Sequence, residues 1–170
     1  MTDAATETVI VAPTAPAPAA APVRPANVVS LELLGNGLLY SIDYERFVTD
    51  AIGLRAGASF FTWKISDAAG SGNLTLATFP FVASHYLGPG RHKLQLGLGA
   101  TILYTAAASD ASGTTYAGST SGLGVAATGV IGYRYAPEKS GFTFTAGYTP
   151  LVRASKALWA WGGASAGWAF

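Results

Sequence analysis

Covalent catalysis needs a nucleophile, a base and a group that orients the base, and this sequence offers few such sets. Its two histidines, His85 and His92, flank Gly88-Pro89-Gly90, and Ser84 precedes His85. In extended chain, neighbouring side chains point to opposite faces, so Ser84 and His85 do not make a nucleophile–base pair. The expectation is solvated turn histidines and no enzyme. Asp67 and Asp110 stand near serines without the Asp-x-Asp-x-Asp-Gly spacing of a calcium loop. With no cysteine, neither a disulfide nor a thiolate metal site can be built. Gly70, Gly72, Gly88 and Gly90 are turn glycines with no helix after them, so no phosphate cradle is expected. No metal or cofactor is therefore expected, and the net charge of +1 with no Lys/Arg cluster gives no reason to expect nucleic acid.

The polar residues that remain fall into a pattern. Glu32, Asp43, Glu45, Arg55, Gln95 and Arg134 each occupy the polar parity of an alternating stretch. Tyr40, Ile42 and Tyr44 alternate with Ser41, Asp43 and Glu45; Leu54, Ala56, Ala58 and Phe60 alternate with Gly53, Arg55, Gly57 and Ser59. Leu94, Leu96, Leu98, Ala100, Ile102 and Tyr104 alternate with Gln95, Gly97, Gly99 and Thr101, and Leu123–Tyr135 and Phe142–Tyr148 repeat the theme. Period two is the signature of strands with two unlike faces. Half of the 170 residues are hydrophobic and only 11% are charged, against roughly a quarter charged in ordinary soluble domains. No unbroken apolar run approaches the roughly 18 residues of a membrane helix. If lipid is the solvent, a closed barrel is the remaining structure that leaves no backbone group unpaired in hydrocarbon.

The elements that position these residues are eight strands, expected at 28–35, 38–47, 52–65, 73–87, 92–106, 121–135, 141–149 and 157–170. In the fourth, Leu74 and Leu76 share one parity and Phe79 and Phe81 the other, which a bulge near Pro80 would reconcile. Connections after the second, fourth and sixth strands are tight, and those after the third, fifth and seventh are longer, above all Ala107–Thr120. Membrane barrels show this alternation, with short turns on the periplasmic side. The exception is Gly35-Asn36-Gly37, short yet on the outer side. With that orientation Tyr44, Tyr86, Tyr133 and Tyr135 fall at periplasmic ends and Phe60, Trp63, Tyr104 and Trp159 at outer ends, the two aromatic girdles of a lipid-embedded barrel.

Ahead of the barrel, Ala12–Ala26 is almost wholly Ala, Pro and Val, with prolines too closely spaced for a helix. Residues 1–26 are expected to be a disordered periplasmic tail or linker, extended at about 3.1 Å per residue where proline-rich, and 27–170 the barrel. Met1–Thr8 has no basic n-region and Val9–Ala12 is a short apolar core, so a signal peptide is absent from this chain, which reads as a mature form with an added initiator Met.

Ser30-Leu31-Glu32-Leu33-Leu34-Gly35-Asn36-Gly37, Tyr44-Glu45-Arg46, Gly53-Leu54-Arg55-Ala56-Gly57, Leu94-Gln95-Leu96-Gly97-Leu98-Gly99-Ala100 and the ending Gly167-Trp168-Ala169-Phe170 resemble the small outer-membrane β-barrels of the OmpA/OmpX-like kind over Asn27–Phe170. The resemblance implies an all-β, eight-stranded, antiparallel up-and-down transmembrane barrel in a bacterial outer membrane, with both termini periplasmic. It also implies that Trp168 and Phe170 form the signal read by the barrel-assembly machinery, and that lipopolysaccharide and the bilayer are partners. Such motifs are informative about architecture and poor about function.

An eight-stranded barrel is just wide enough for side chains to fill it. The six polar residues are expected to form an interior ion-pair network, since an isolated charge there is costly. This predicts a structural, anchoring or interaction protein, open to an envelope protein partner through its tail or loops. A narrow porin-like channel for small solutes is the alternative, and a soluble barrel binding an apolar ligand a third.

Overall fold

A computed structural model of the chain describes residues 25–67, 70–111, 118–153, 158–159 and 161–170. All but two residues of the expected tail lie outside this set. The strands are β1 (Asn27–Leu34), β2 (Tyr40–Phe47), β3 (Ile52–Asp67), β4 (Gly70–Leu87), β5 (His92–Ala111), β6 (Gly118–Tyr135), β7 (Gly141–Tyr148), β8 (Leu151–Arg153), β9 (Leu158–Trp159) and β10 (Gly162–Ala169), with a single 3-10 turn at Gly35–Gly37. All pairings are antiparallel, each of β1 to β6 with its sequence neighbour. β7 and β8 pair with β6 in one shared register, interrupted at Thr149-Pro150 where proline has no N–H to give. β9 and β10 likewise form one strand against β8 and β7. β10 then pairs with β1, and the sheet closes as an eight-stranded up-and-down transmembrane barrel.

Alternation decides which side chains meet lipid. Leu31, Leu33, Ile42, Leu54, Phe81, Leu98, Val125, Ile131 and Phe142 point outward and stay exposed, while Ser30, Glu32, Ser41, Asp43, Glu45, Arg55, Ser84 and Gln95 are buried inside. The barrel is inside-out relative to a soluble one, as a chain solvated by hydrocarbon requires.

Strand four holds no inserted residue. Its register against β5 is unbroken from Gly70 to Leu87, and its register against β3 is the same on both sides of a gap in the ladder at Phe79-Pro80. The gap arises because Pro80 lacks the donor that this edge would use. Leu74 and Leu76 instead take the lumen-facing parity, and Leu76 packs on a buried cluster of Leu38, Leu103, Ala126 and Leu151, joined by Trp161. The outer third of the lumen is apolar, so parity there no longer separates lipid-facing from interior positions.

The expected long loop at 107–120 is mostly strand. β5 runs to Ala111 and β6 starts at Gly118, with Ala107 opposite Thr120. Small side chains extend the hairpin rather than ending it. β3 to β6 are therefore 16, 18, 20 and 18 residues long against 8 for β1, β2, β7 and β10. A tilted strand needs about 9–11 residues to span the hydrocarbon, so two tall hairpins rise beyond the bilayer on one side.

Candidate functional site

The lumen is filled in tiers, which can be followed upward from the end where Asn27 meets Phe170. Lowest lie Glu45 on β2, Tyr86 on β4 and Arg134 on β6. Arg134 Nη1 and the Tyr86 hydroxyl both donate to the Glu45 carboxylate, and Arg134 Nη1 also reaches the Tyr86 oxygen at 2.8 Å. The guanidinium lies 4.8 Å from the Tyr86 ring centre and 5.2 Å from that of Phe47, within cation–π range. Tyr86 is thus a lumen residue, not a girdle residue: it is 5% exposed, on the same inward parity as Ser84 and Val82. The mixed parity of β4 concealed this.

One tier higher, Arg55 on β3 is the hub. Its Nη1 lies 3.3 Å from Glu32 Oε1 and 3.8 Å from Asp43 Oδ2, and its Nη2 donates to Asn36 Oδ1 at 2.5 Å. Neither Asp43 oxygen has a hydrogen-bond partner among the described residues, nor does Gln95 Oε1. The Gln95 amide donates to Ser84 Oγ at 2.8 Å. Three carboxylates (Glu32, Asp43, Glu45) and two guanidiniums (Arg55, Arg134) thus share a volume from which water is largely excluded. All six polar residues anticipated for the interior are buried there, Glu45 and Arg134 in the lower cluster, Glu32, Asp43 and Arg55 in the upper one, and Gln95 against Ser84.

Sequence reasoning passed over the turn between β1 and β2. Gly35-Asn36-Gly37 does not cap the barrel from outside; it folds into the lumen, where Asn36 is completely buried. Asn36 Nδ2 donates to Thr128 Oγ1 at 2.5 Å and to the Gly129 carbonyl at 3.3 Å. Thr101 Oγ1 donates to the Asn36 carbonyl and Thr78 Oγ1 to that of Gly37, both at 2.9 Å, and the Gly37 amide donates to Glu32 Oε2 at 3.2 Å. Residues on β1, β3, β4, β5 and β6 therefore grip one three-residue turn. Its geometry is forced: Gly35 has φ +82°, and Leu34 and Leu38 on either side have φ 60° and 72°. A left-handed conformation costs a non-glycine residue of order 1–3 kcal/mol and persists only where surrounding contacts over-determine it. Room for the turn comes from Gly163 on β10, where a Cβ would stand 2.6 Å from Gly35 Cα. The signal in the sequence was the oddity itself, a three-residue outer connection whose central side chain has both donors and acceptors.

The remaining expected positions divide by face. Tyr44, Tyr133, Phe60 and Tyr104 are exposed on the lipid side. Tyr135 is half-buried there, its ring 5.7 Å from that of His92. His92 Nδ1 lies 2.6 Å from the Tyr133 hydroxyl, so this histidine sits between Tyr133 and Tyr135. His85 is exposed and Ser84 buried, on opposite faces. Trp63 and Trp159 do not join an outward girdle: Trp63 pairs with Leu74, and Trp159 with the buried Leu151, on the lumen-facing side of the outer mouth. Trp168 and Phe170 are exposed on the last strand, and Phe170 exchanges two backbone hydrogen bonds with Asn27, at 2.9 and 3.0 Å.

No protein-family model and no curated protein matches the chain. Among solved structures, it is similar to the N-terminal β-barrel domain of Pseudomonas aeruginosa OprF, with a TM-score of 0.57 and 18% identity over 87% of this chain and 100% of that one. Ail, the attachment invasion locus protein of Yersinia pestis, aligns at a TM-score of 0.48 and 13% identity over 84% of this chain and 91% of that one. At this identity the OprF likeness speaks for the fold, and the fold is the barrel the residues had led one to expect.

Proposed function

We propose that the chain is an integral outer-membrane barrel with a structural, anchoring or interaction role, rather than a conduit. The observation that carries this reading is the inward turn at Asn36, held by side chains from across the barrel above two tiers of paired charges. A solute would have to break several buried hydrogen bonds at once to pass. The apolar outer face belongs in a bilayer, with lipopolysaccharide as the outer-leaflet neighbour. Trp168 and Phe170 are the residues through which the barrel-assembly machinery would recognise the last strand. Both termini then lie in the periplasm, and the Ala/Pro tail gives reach toward an envelope protein partner, with the tall hairpins as the surface offered outside. Planar-bilayer recording tests the closed lumen. The expected wild type is silent. Steady single-channel openings abolished by Glu32→Gln or Arg55→Met would make the barrel a narrow porin-like channel for small solutes instead. Refolding to a monomer in plain buffer, without detergent or lipid, would overturn the membrane assignment.

A further inference from the structure

We propose that the outer mouth of the barrel binds a single-chain anionic amphiphile, a long-chain fatty acid, with its hydrocarbon in the lumen and its carboxylate on Arg153. The cavity there measures about 490 Å³, within the roughly 300–1,000 Å³ of small-molecule sites. It exists because β6 turns two glycines, Gly122 and Gly124, toward the lumen, so no side chain fills the space in front of Leu76 and Leu103. Leu38 and Trp161 also line it, and Leu38, directly after the Asn36 turn, belongs to the apolar cluster that separates the cavity from the polar tiers.

Charge selects among apolar occupants. Three tryptophans, Trp63, Trp159 and Trp161, line the cavity, and alone they would suit a quaternary ammonium as well as an acyl chain. Among the described residues the one charged lining residue is Arg153, on the lumen-facing position opposite Ala126, its Nη2 3.5 Å from where a Cβ on Gly124 would stand. The lumen guanidiniums of Arg55 and Arg134 are each paired with carboxylates, whereas Arg153 has no ion-pair partner among the described residues. The indole N–H of Trp161 is buried without an acceptor among them. A cation is therefore repelled, a neutral alkane offers this exposed guanidinium nothing, and a chain ending in a carboxylate supplies the counter-charge that Arg153 lacks among the described residues. The site goes beyond the anchoring role and is separate from the Asn36 turn, so a conducting barrel would refute that role and leave this site standing.

The test is tryptophan quenching by a bromine-labelled fatty acid, with the full chain in zwitterionic phosphatidylcholine nanodiscs. A Cβ at Gly124 meets nothing nearer than 3.5 Å and one at Gly122 nothing nearer than 3.6 Å, so Gly124→Leu and Gly122→Leu fill the cavity without forcing backbone apart. Retained gel mobility shift confirms that they fold. Saturable quenching at one fatty acid per barrel is expected, at least tenfold weaker in either leucine variant. Arg153→Glu should weaken the carboxylate at least tenfold and leave the matching fatty alcohol unchanged. Unsaturable quenching, or equal titrations in wild type and leucine variants, would mean that the chain has merely dissolved in the bilayer and would overturn the proposal. Equal carboxylate affinity in Arg153→Glu would overturn the role of Arg153.

Discussion

Replacing Arg55 by methionine tests whether the lumen is a dry, paired network. The substitution keeps most of the side-chain volume and removes the charge that lies 3.3 Å from Glu32 and 3.8 Å from Asp43, together with the donor to Asn36. Deleting one partner of a buried ion pair costs about 3–5 kcal/mol, because the other charge stays behind unpaired. Here two carboxylates are stranded, and an unsatisfied amide oxygen would alone cost about 1–3 kcal/mol. The upper part of the ion-pair range is therefore expected. With a urea slope of about 2 kcal/mol per molar, that loss moves the unfolding midpoint down by roughly 2 M. Urea titration in phosphatidylcholine vesicles, read by tryptophan fluorescence and by gel mobility with and without boiling, measures it. The triple variant Arg55→Met, Glu32→Gln, Asp43→Asn should recover to within about 1–2 kcal/mol of wild type, since exchanging a whole buried charge cluster for neutral groups of similar volume is often nearly neutral. An Arg55→Met midpoint equal to wild type, or a triple variant no better than the single, would refute the reasoning. Either would mean that water reaches these charges and screens them.

Two other substitutions probe particular contacts. Gly57→Ala would put a Cβ 1.9 Å from Asp43 Oδ1 and 3.1 Å from Pro80 Cγ, an overpacking expected to cost about 1–3 kcal/mol in the same urea titration, with part recovered when Asp43→Ala is added. Trp168→Ala with Phe170→Ala keeps the backbone bonds to Asn27; membrane-inserted protein in cells should drop while purified protein still refolds in detergent, and unchanged cellular insertion would remove the two side chains from the assembly signal.

Much of this was legible in the residues because lipid imposes a strict division of faces. Where a strand runs wholly through hydrocarbon, as β2 does from Ser41 to Glu45, every second side chain must be apolar, and parity assigned Asp43, Glu45, Arg55 and Gln95 to the interior without ambiguity. The same logic fails at the end of the barrel that carries the tall hairpins. There the lumen is lined by Leu38, Leu76 and Leu103, so Leu74, Leu76, Trp63 and Trp159 resemble lipid-facing residues although they turn inward. Tyr86 was misplaced for a related reason: an aromatic at a strand end suits a girdle or a cation–π pair equally, and the choice rests on the distant Arg134 and Glu45. For Asn36 the sequence signalled only an oddly short connection, since its inward position depends on positive-φ leucines at 34 and 38 that local propensity would never suggest.

Closure of the barrel has a consequence for its birth. With β7–β8 and β9–β10 each counted as one interrupted strand, every pairing but one joins strands adjacent along the chain, and the exception is the seam between β1 and β10, where Asn27 meets Phe170 across 143 positions. Until β10 is made and positioned, β1 and β7 each carry a full edge of unpaired amides and carbonyls, and hydrocarbon tolerates no such edge. Local hairpins can form early, but the contact that makes the object a membrane protein is the slowest kind, a long loop closed against its entropy. Synthesis order therefore runs opposite to commitment: the first strand waits for the last.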